Sequence, residues 1–241
     1  MKIIADTHAH TIVSGHAYST IREMAAAGAE HGLELLALTE HAPEMPGSCG
    51  IFYFQNYNVI PREMCGIRML FGVELNIMDT EGTVDMPDWL CEKQDIVVAS
   101  LHSPCYGQDH TKEENTTACV NAMKNPHINI IGHPDDGRLP LDYEAIVKTA
   151  KETHTLLELN NSSLKPDGFR VNARENMIQM LGLCKKYGVS VSTGSDAHID
   201  VDAGNFKYIQ EVLDYCEFPE ELVANTSLKK LQPYINRQII C

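Results

Sequence analysis

Seven short apolar runs punctuate the chain, at residues 2–5, 34–38, 68–73, 96–101, 128–131, 156–159 and 189–193. Just past them stand His8, Glu40-His41, Glu74, His102, His133, Asn160 and Asp196-x-His198. These polar markers recur about every thirty residues, the length of one strand plus a crossover helix and its loops. No identity repeats, only the period. The stretches between the runs read as helices. Thr20-Ile21-Arg22-Glu23 forms a capping box, and Ala25, Ala26, Ala27 and Ala29 carry that helix to a stop at Gly32. Asp142 caps a second helix through Ala145, Ile146 and Ala150; Met177, Met180, Leu181 and Cys184 stripe a third that ends near Gly188. Such stripes are core faces.

Other stretches are less regular. Residues 42–61 hold Pro43, Pro46, Gly47 and Gly50 and read as a lid or substrate loop. Glu81-Gly82 marks a turn that leaves Asp79 and Asp85 as surface carboxylates. After Phe218-Pro219 a last helical segment is broken by Pro233, with no chemistry in it. No linker rich in Gly, Ser or Pro divides the chain, so a single domain over residues 1–241 is expected. Alternating strands and helices, with polar residues at the same end of every strand, predict an α/β fold with a closed or doubly wound parallel sheet. Seven runs fit a (βα)7 barrel, one unit short of the usual eight, whose site lies at the C-terminal strand ends.

Composition narrows the function. The chain has 241 residues, 44% hydrophobic and 22% charged, enough for a core without staples. Asp6 and His8 interrupt the first apolar run, which excludes a secretory signal, and no run approaches the roughly 18 apolar residues of a membrane span. A cytoplasmic setting is expected. The 8 cysteines include no C-x-x-C pair, so a zinc ribbon, a redox dithiol or a disulfide framework is not expected, and most read as buried small hydrophobes. A net charge of −14 argues against a nucleic-acid partner. It leaves room for a small anionic substrate, because bound cations reverse the sign inside a pocket.

The strand-end set is His8, His10, His16, His41, Glu74, His102, His133, Asp196 and His198. One His-x-His pair is as readily two exposed imidazoles, but seven histidines at strand ends are not an accident of composition. His31, His110, His127 and His154 fall in helices or connections and read as structural, with His110 near enough to the fourth run to line the pocket mouth. A set of nitrogen and oxygen donors without thiols suits zinc, manganese or iron. One zinc takes three or four protein ligands, so nine candidates point to two or three ions. Asp6 and Glu40 can orient neighbouring imidazoles, and Arg174 is a candidate phosphate clamp.

The chain resembles the PHP (polymerase and histidinol phosphatase) metal-dependent hydrolases, most closely the YcdX-type branch of phosphatases. The matching stretches are Asp6-Thr-His-Ala-His10, His16-Ala-Tyr-Ser-Thr20, Thr39-Glu-His-Ala-Pro43, Gly72-Val-Glu-Leu-Asn76, His102-Ser-Pro104, Gly132-His-Pro134, Glu158-Leu-Asn-Asn-Ser-Ser163 and Gly194-Ser-Asp-Ala-His198. The resemblance implies a distorted TIM-like barrel with three divalent ions, assigned as zinc, with manganese or iron as alternatives. His8, His10, Glu74 and Asp196 would hold the first, His16, His41 and His198 the second, and Glu74, His102 and His133 the third. It further implies hydrolysis of a small phosphate ester by a metal-bound hydroxide, with Glu74, Asp196 and His198 at the catalytic centre. The family often has Asp where this chain has Glu40, and the segment after Ser163 is shorter here. A PHP-type nuclease and a non-catalytic metal-binding scaffold are the competing readings. The lysine ligand of amidohydrolases has no counterpart at these strand ends.

Overall fold

The computed structural model describes residues 1–240. Eight strands run in chain order: β1 (Ala5–Asp6), β2 (Leu35–His41), β3 (Glu63–Met64), β4 (Ile67–Asn76), β5 (Val97–Ser100), β6 (Ile130–Ile131), β7 (Leu156–Asn160) and β8 (Val191–Gly194). Seven of them pair in parallel in the order β1-β2-β4-β5-β6-β7-β8, while β3 is an antiparallel spur on β4. The edges approach each other beyond β8 and β1, where Asp196 N–H donates to His8 O (2.8 Å) and His10 N–H to Ala197 O (2.9 Å). The sheet is thus a nearly closed seven-stranded barrel of distorted TIM-like form, as the spacing of the apolar runs predicts.

The connecting helices are α1 (Ile21–Glu30), α2 (Ile51–Gln55), α3 (Asp88–Cys91), α4 (Ser103–Tyr106), α5 (Lys112–Ala122), α6 (Tyr143–Thr153), α7 (Ala173–Tyr187), α8 (Lys207–Tyr215) and α9 (Leu228–Leu231). The capping box at Thr20 and Glu23 forms, Asp142 caps α6, and Gly188 ends α7 in a left-handed conformation. A second capping box, Thr111 with Glu114 on α5, is legible in the sequence but was not among the expectations above.

Strand periodicity sorts the side chains into two layers. Met69, Phe71, Val73 and Leu75 of β4 pack outward in the large core shared with the helices. Leu70 faces the other way, into a smaller cluster with Ala5, Leu35, Ala37, Ile96, Val98, Ile130 and Leu156. Ala224, Leu231, Ile235 and Ile239 from the C-terminal segment complete that cluster and stopper the lower end of the barrel. This is the work of the region beyond Pro219. Two residues further along the same inward-facing row of β4 lies Gly72, and then Glu74. The barrel interior is therefore apolar at the N-terminal strand ends and ionisable at the C-terminal ones. No helix is long and apolar enough to cross a membrane among the described residues.

Candidate metal centre

Glu74 is the hub. It is fully buried on β4 and both carboxylate oxygens face imidazoles. Oε1 lies 3.0 Å from His133 Nε2 and 3.1 Å from His102 Nε2, and accepts a hydrogen bond from Ser100 Oγ at 2.7 Å. Oε2 lies 2.8 Å from His41 Nδ1, 3.3 Å from His8 Nε2 and 3.4 Å from His10 Nε2. Asp196 Oδ1 approaches His10 Nε2 to 3.4 Å and His8 Nε2 to 3.8 Å. The rings of His10 and His198 are 4.6 Å apart, and His16 stacks 4.8 Å from both His41 and His198. All nine residues of the strand-end set converge on one end of the barrel.

The closest donor groups differ in part from the expected ligand sets. The donor atoms cluster most tightly as His8-His10-Glu74, His10-His41-His198 and His41-Glu74-His102. His133, Asp196 and His16 stand outside these groups, and His16 is exposed, at the rim. His41 and Glu74 lie inside their strands rather than beyond them. Backbone conformation aims two others inward: His133 (φ 28°) and Asp196 (φ 53°) adopt left-handed angles that cost a side-chain-bearing residue energy.

Three of the imidazoles are turned by a side-chain partner on the far nitrogen. His8 Nδ1 lies 2.8 Å from Glu158 Oε1, His10 Nδ1 3.1 Å from Ser14 Oγ, and His102 Nδ1 2.7 Å from Asn76 Oδ1. Glu40 acts at one remove: it accepts from Ser14 Oγ (2.6 Å) and from Thr11 N–H and Oγ1. Asp6 does something other than orient a ring. Its carboxylate takes the backbone N–H groups of His8, Ser195 and Gly204 and so ties the first strand to the last. Glu158 is missing from the expected set because it sits inside the sixth apolar run, alternating with Leu157 and Leu159; that inward parity was its signal.

The charges are strongly coupled. Burial pushes the Glu74 carboxyl up, but His8, His102 and His41 outweigh it and hold it well below the usual range. Burial also disfavours a proton on His8, yet Glu158, Glu74 and Asp196 hold its imidazolium well above the ordinary value. His10 rises to about 9 for the same reason: burial opposes its charge, and Asp196 and Glu74 more than offset that. Burial and the charge on His10 keep His41 well below, and take His198 down to about 4.

The donor set fits divalent cations. Glu74 Oε2 and His41 Nδ1 are buried 2.8 Å apart, but neither makes a well-directed hydrogen bond. Uncompensated buried polar atoms are costly, and a cation between them satisfies both. The donors are imidazole nitrogens and carboxylate oxygens without sulfur, the set expected for zinc or manganese.

Above the cluster opens a cavity of about 660 Å³, lined by His16, His41, Glu74, His102, His133, Asp196 and His198 and walled by Met45, Pro46, Arg138, Lys165, Phe169 and Arg170. Met45 and Pro46 come from the irregular 42–61 stretch, which supplies wall but folds partly into α2. Lys165, Phe169 and Arg170 come from the segment after Ser163. Arg170 bonds Asp196 Oδ2 through both terminal nitrogens at 3.1 Å, and Arg138 pairs with Asp136 at 2.6 Å. Both guanidiniums lie against the exposed Phe169 ring, at 4.6 Å for Arg138 and 5.3 Å for Arg170.

Four expectations need correction. Arg174 is no clamp on this cavity: it stacks on Tyr215 and lines a separate hollow of about 230 Å³. His110 packs on Tyr106 and does not line the cavity. Asp85 is half-buried and bonded to Asn76, not a plain surface charge. Of the cysteines, Cys91, Cys119 and Cys184 are buried, but Cys65 is exposed and Cys49, Cys105 and Cys216 are intermediate; Cys241 lies outside the described residues.

Comparison with known proteins agrees with this architecture. The chain is 46% identical over 235 residues to a protein of Clostridium novyi named "probable phosphatase", covering 98% of this chain and 95% of that one. It is 44% identical over 238 residues to a protein of the same name from Caldanaerobacter subterraneus, covering 99% and 93%. The fold is shared with the histidinol phosphate phosphatase of Lactococcus lactis, solved with zinc, L-histidinol and phosphate, at a TM-score of 0.65 and 21% identity over 89% of this chain and 94% of that one. The PHP domain model matches residues 6–227, nearly the whole barrel, and the chain belongs to the PHP domain family.

Proposed function

We propose that this protein is a metal-dependent phosphatase that hydrolyses a small phosphate ester at a site for three divalent cations, built on one domain and working in the cytoplasm. The observation that carries this reading is the buried Glu74 carboxylate, whose Oε2 lies among the nitrogens of His41, His8 and His10 without a well-directed hydrogen bond to any of them. Relatives sharing 46% and 44% of its residues over nearly full length are named for phosphatase activity. A protein of the same fold was solved with zinc and phosphate, which makes zinc the first cation to test and manganese or iron the next.

In this reading His8, His10, Glu74 and Asp196 hold one ion, His16, His41 and His198 a second, and Glu74, His102 and His133 a third. Bound there, divalent cations supply positive charge against a phosphoryl group and bring the pKa of coordinated water towards 7. The protein's own groups prepare that centre. Glu158, Ser14 and Asn76 fix which nitrogen of His8, His10 and His102 faces inward. Arg170 neutralises the outer oxygen of Asp196 and keeps the inner one turned to the cluster. Met45, Pro46, Leu101 and Phe169 give the cavity an apolar wall that limits water around a bound ester. A space of about 660 Å³ admits a phosphate with a small leaving group. The −14 charge disfavours a nucleic-acid backbone.

The test is phosphate release from a generic aryl phosphate, then from nucleotides, sugar phosphates and histidinol phosphate. Glu74→Ala and His198→Ala are expected to abolish it. Activity on oligonucleotides alone would point to a nuclease, and bound cations without turnover to a scaffold. Undiminished activity in the Glu74 variant would overturn the reading.

A further inference from the structure

The β4 strand ends at Asn76, and the chain then makes a short hairpin. Ile77 bridges Val84, Met78 N–H donates to Thr83 O at 2.8 Å, and Gly82 takes the left-handed turn position (φ 79°). This return brings Asp85 back onto Asn76. Asp85 Oδ1 accepts the Asn76 backbone N–H at 2.8 Å, and Oδ2 accepts the Asn76 side-chain amide at 2.6 Å. Oδ2 also accepts the backbone N–H of Glu44 at 3.0 Å. Asn76 Oδ1 meets His102 Nδ1 at 2.7 Å.

The chemistry of these contacts runs one way. An ionised carboxylate only accepts, so Asn76 must turn its NH2 towards Asp85 and its oxygen towards His102. An amide oxygen also only accepts, so His102 must carry its proton on Nδ1. In the neutral ring Nε2 is then a bare lone pair, set 3.1 Å from Glu74 Oε1 and 3.3 Å from His133 Nε2. Through Glu44, the same carboxylate pins the loop whose next residues, Met45 and Pro46, form the cavity wall.

We infer that Asp85 is a positioning residue that fixes the tautomer of His102 through Asn76 and, through Glu44, ties the substrate-facing loop to that imidazole. This deepens the cation-site reading above and rests on it for its consequence, though not for its geometry. Asp79, on the same hairpin, accepts only the turn N–H of Thr83 (3.0 Å) and has no path to a ring, so it serves as the control.

The experiment uses the full chain with Asp85→Asn and Asp79→Asn, after thermal melts confirm that both fold. Nitrogen-15 shifts of the His102 ring, assigned with a His102→Gln variant, are read in cation-free protein. Wild type and Asp79→Asn are expected to show the Nδ1-protonated form, and Asp85→Asn a mixture, because its amide lets Asn76 flip. Zinc affinity by chelator competition is expected to fall about ten- to hundredfold in Asp85→Asn alone. An unchanged His102 tautomer in Asp85→Asn would overturn the relay. Wild-type protein that binds no zinc would overturn the metal reading instead, and the nitrogen shifts would still decide the relay on their own. If Asp85→Asn fails to fold, Asn76→Ala tests the same relay by removing the amide that meets His102 Nδ1: a mixture of His102 tautomers is expected, and an unchanged Nδ1-protonated ring would overturn the relay.

Discussion

Glu158 Oε1 sits 2.8 Å from His8 Nδ1, with both side chains fully buried. The other oxygen of Glu158 accepts the His133 backbone N–H at 2.7 Å and the Asn160 amide at 3.1 Å. One carboxylate thus sets the ring of one candidate ligand and the backbone of another. Glu158→Gln keeps the volume but offers His8 a donor as readily as an acceptor. The variant is expected to fold, to lose about 1–3 kcal/mol of stability, and to bind zinc about ten- to hundredfold more weakly. Denaturant melts and chelator competition measure the two effects.

Gly194 is where β8 makes room for that pair. A Cβ there would fall 2.0 Å from Glu158 Oε1 and 2.6 Å from His8 Cβ. Neither neighbour can yield, since both are locked in the buried pair. Gly194→Ala is expected to destabilise the fold by about 1–3 kcal/mol and to reduce cation binding by displacing His8. Paired melts with and without zinc would show both losses.

Cations that bind the folded chain alone must stabilise it. Protein stripped with a chelator is expected to melt lower, and zinc at about a hundred times its dissociation constant to restore about 2.7 kcal/mol. His8→Ala should blunt that recovery. The readout is the melting temperature across a zinc titration.

Asp136, on the cavity wall, carries a pH dependence set chiefly by Arg138, with His133 adding to it. Burial pushes its carboxyl up, but the bidentate hydrogen bonds from Arg138, Nε to Oδ1 and Nη2 to Oδ2, outweigh burial and hold it below the ordinary value. A depressed folded value means the ion pair stabilises the fold above the unfolded pKa of about 3.9, and that this contribution fades as pH falls through the lower folded value. Arg138→Met leaves the burial in place and removes the main partner, with Arg170 Nε still 3.9 Å from Asp136 Oδ2. The acid limb of melting temperature against pH is expected to move to higher pH, with a loss of about 0.5–1 kcal/mol at neutral pH, kept small because Arg138 is 31% exposed.

Much of this was legible from spacing alone. The apolar runs mark all seven ring strands because buried parallel strands are short and continuous, and the caps at Thr20, Asp142 and Gly188 fix helix ends by local chemistry. The nine strand-end residues converge because a barrel collects strand ends whatever their separation in sequence. The partners that turn those residues were harder to see. Glu158 is masked by its apolar neighbours, and Asp85 becomes a partner only once the Gly82 turn returns it to Asn76. Arg170 lies in a loop without periodicity, where nothing local distinguishes it from Arg174, and only the folded chain shows that one meets Asp196 and the other Tyr215.

The central claim is that side chains from distant strands cage divalent cations around Glu74. Elemental analysis of protein purified with ample zinc and manganese tests it most directly. Wild type is expected to carry close to three equivalents of transition metal, and Glu74→Ala to lose at least the two ions that share that carboxylate. A well-folded wild-type protein with essentially no bound metal would contradict it.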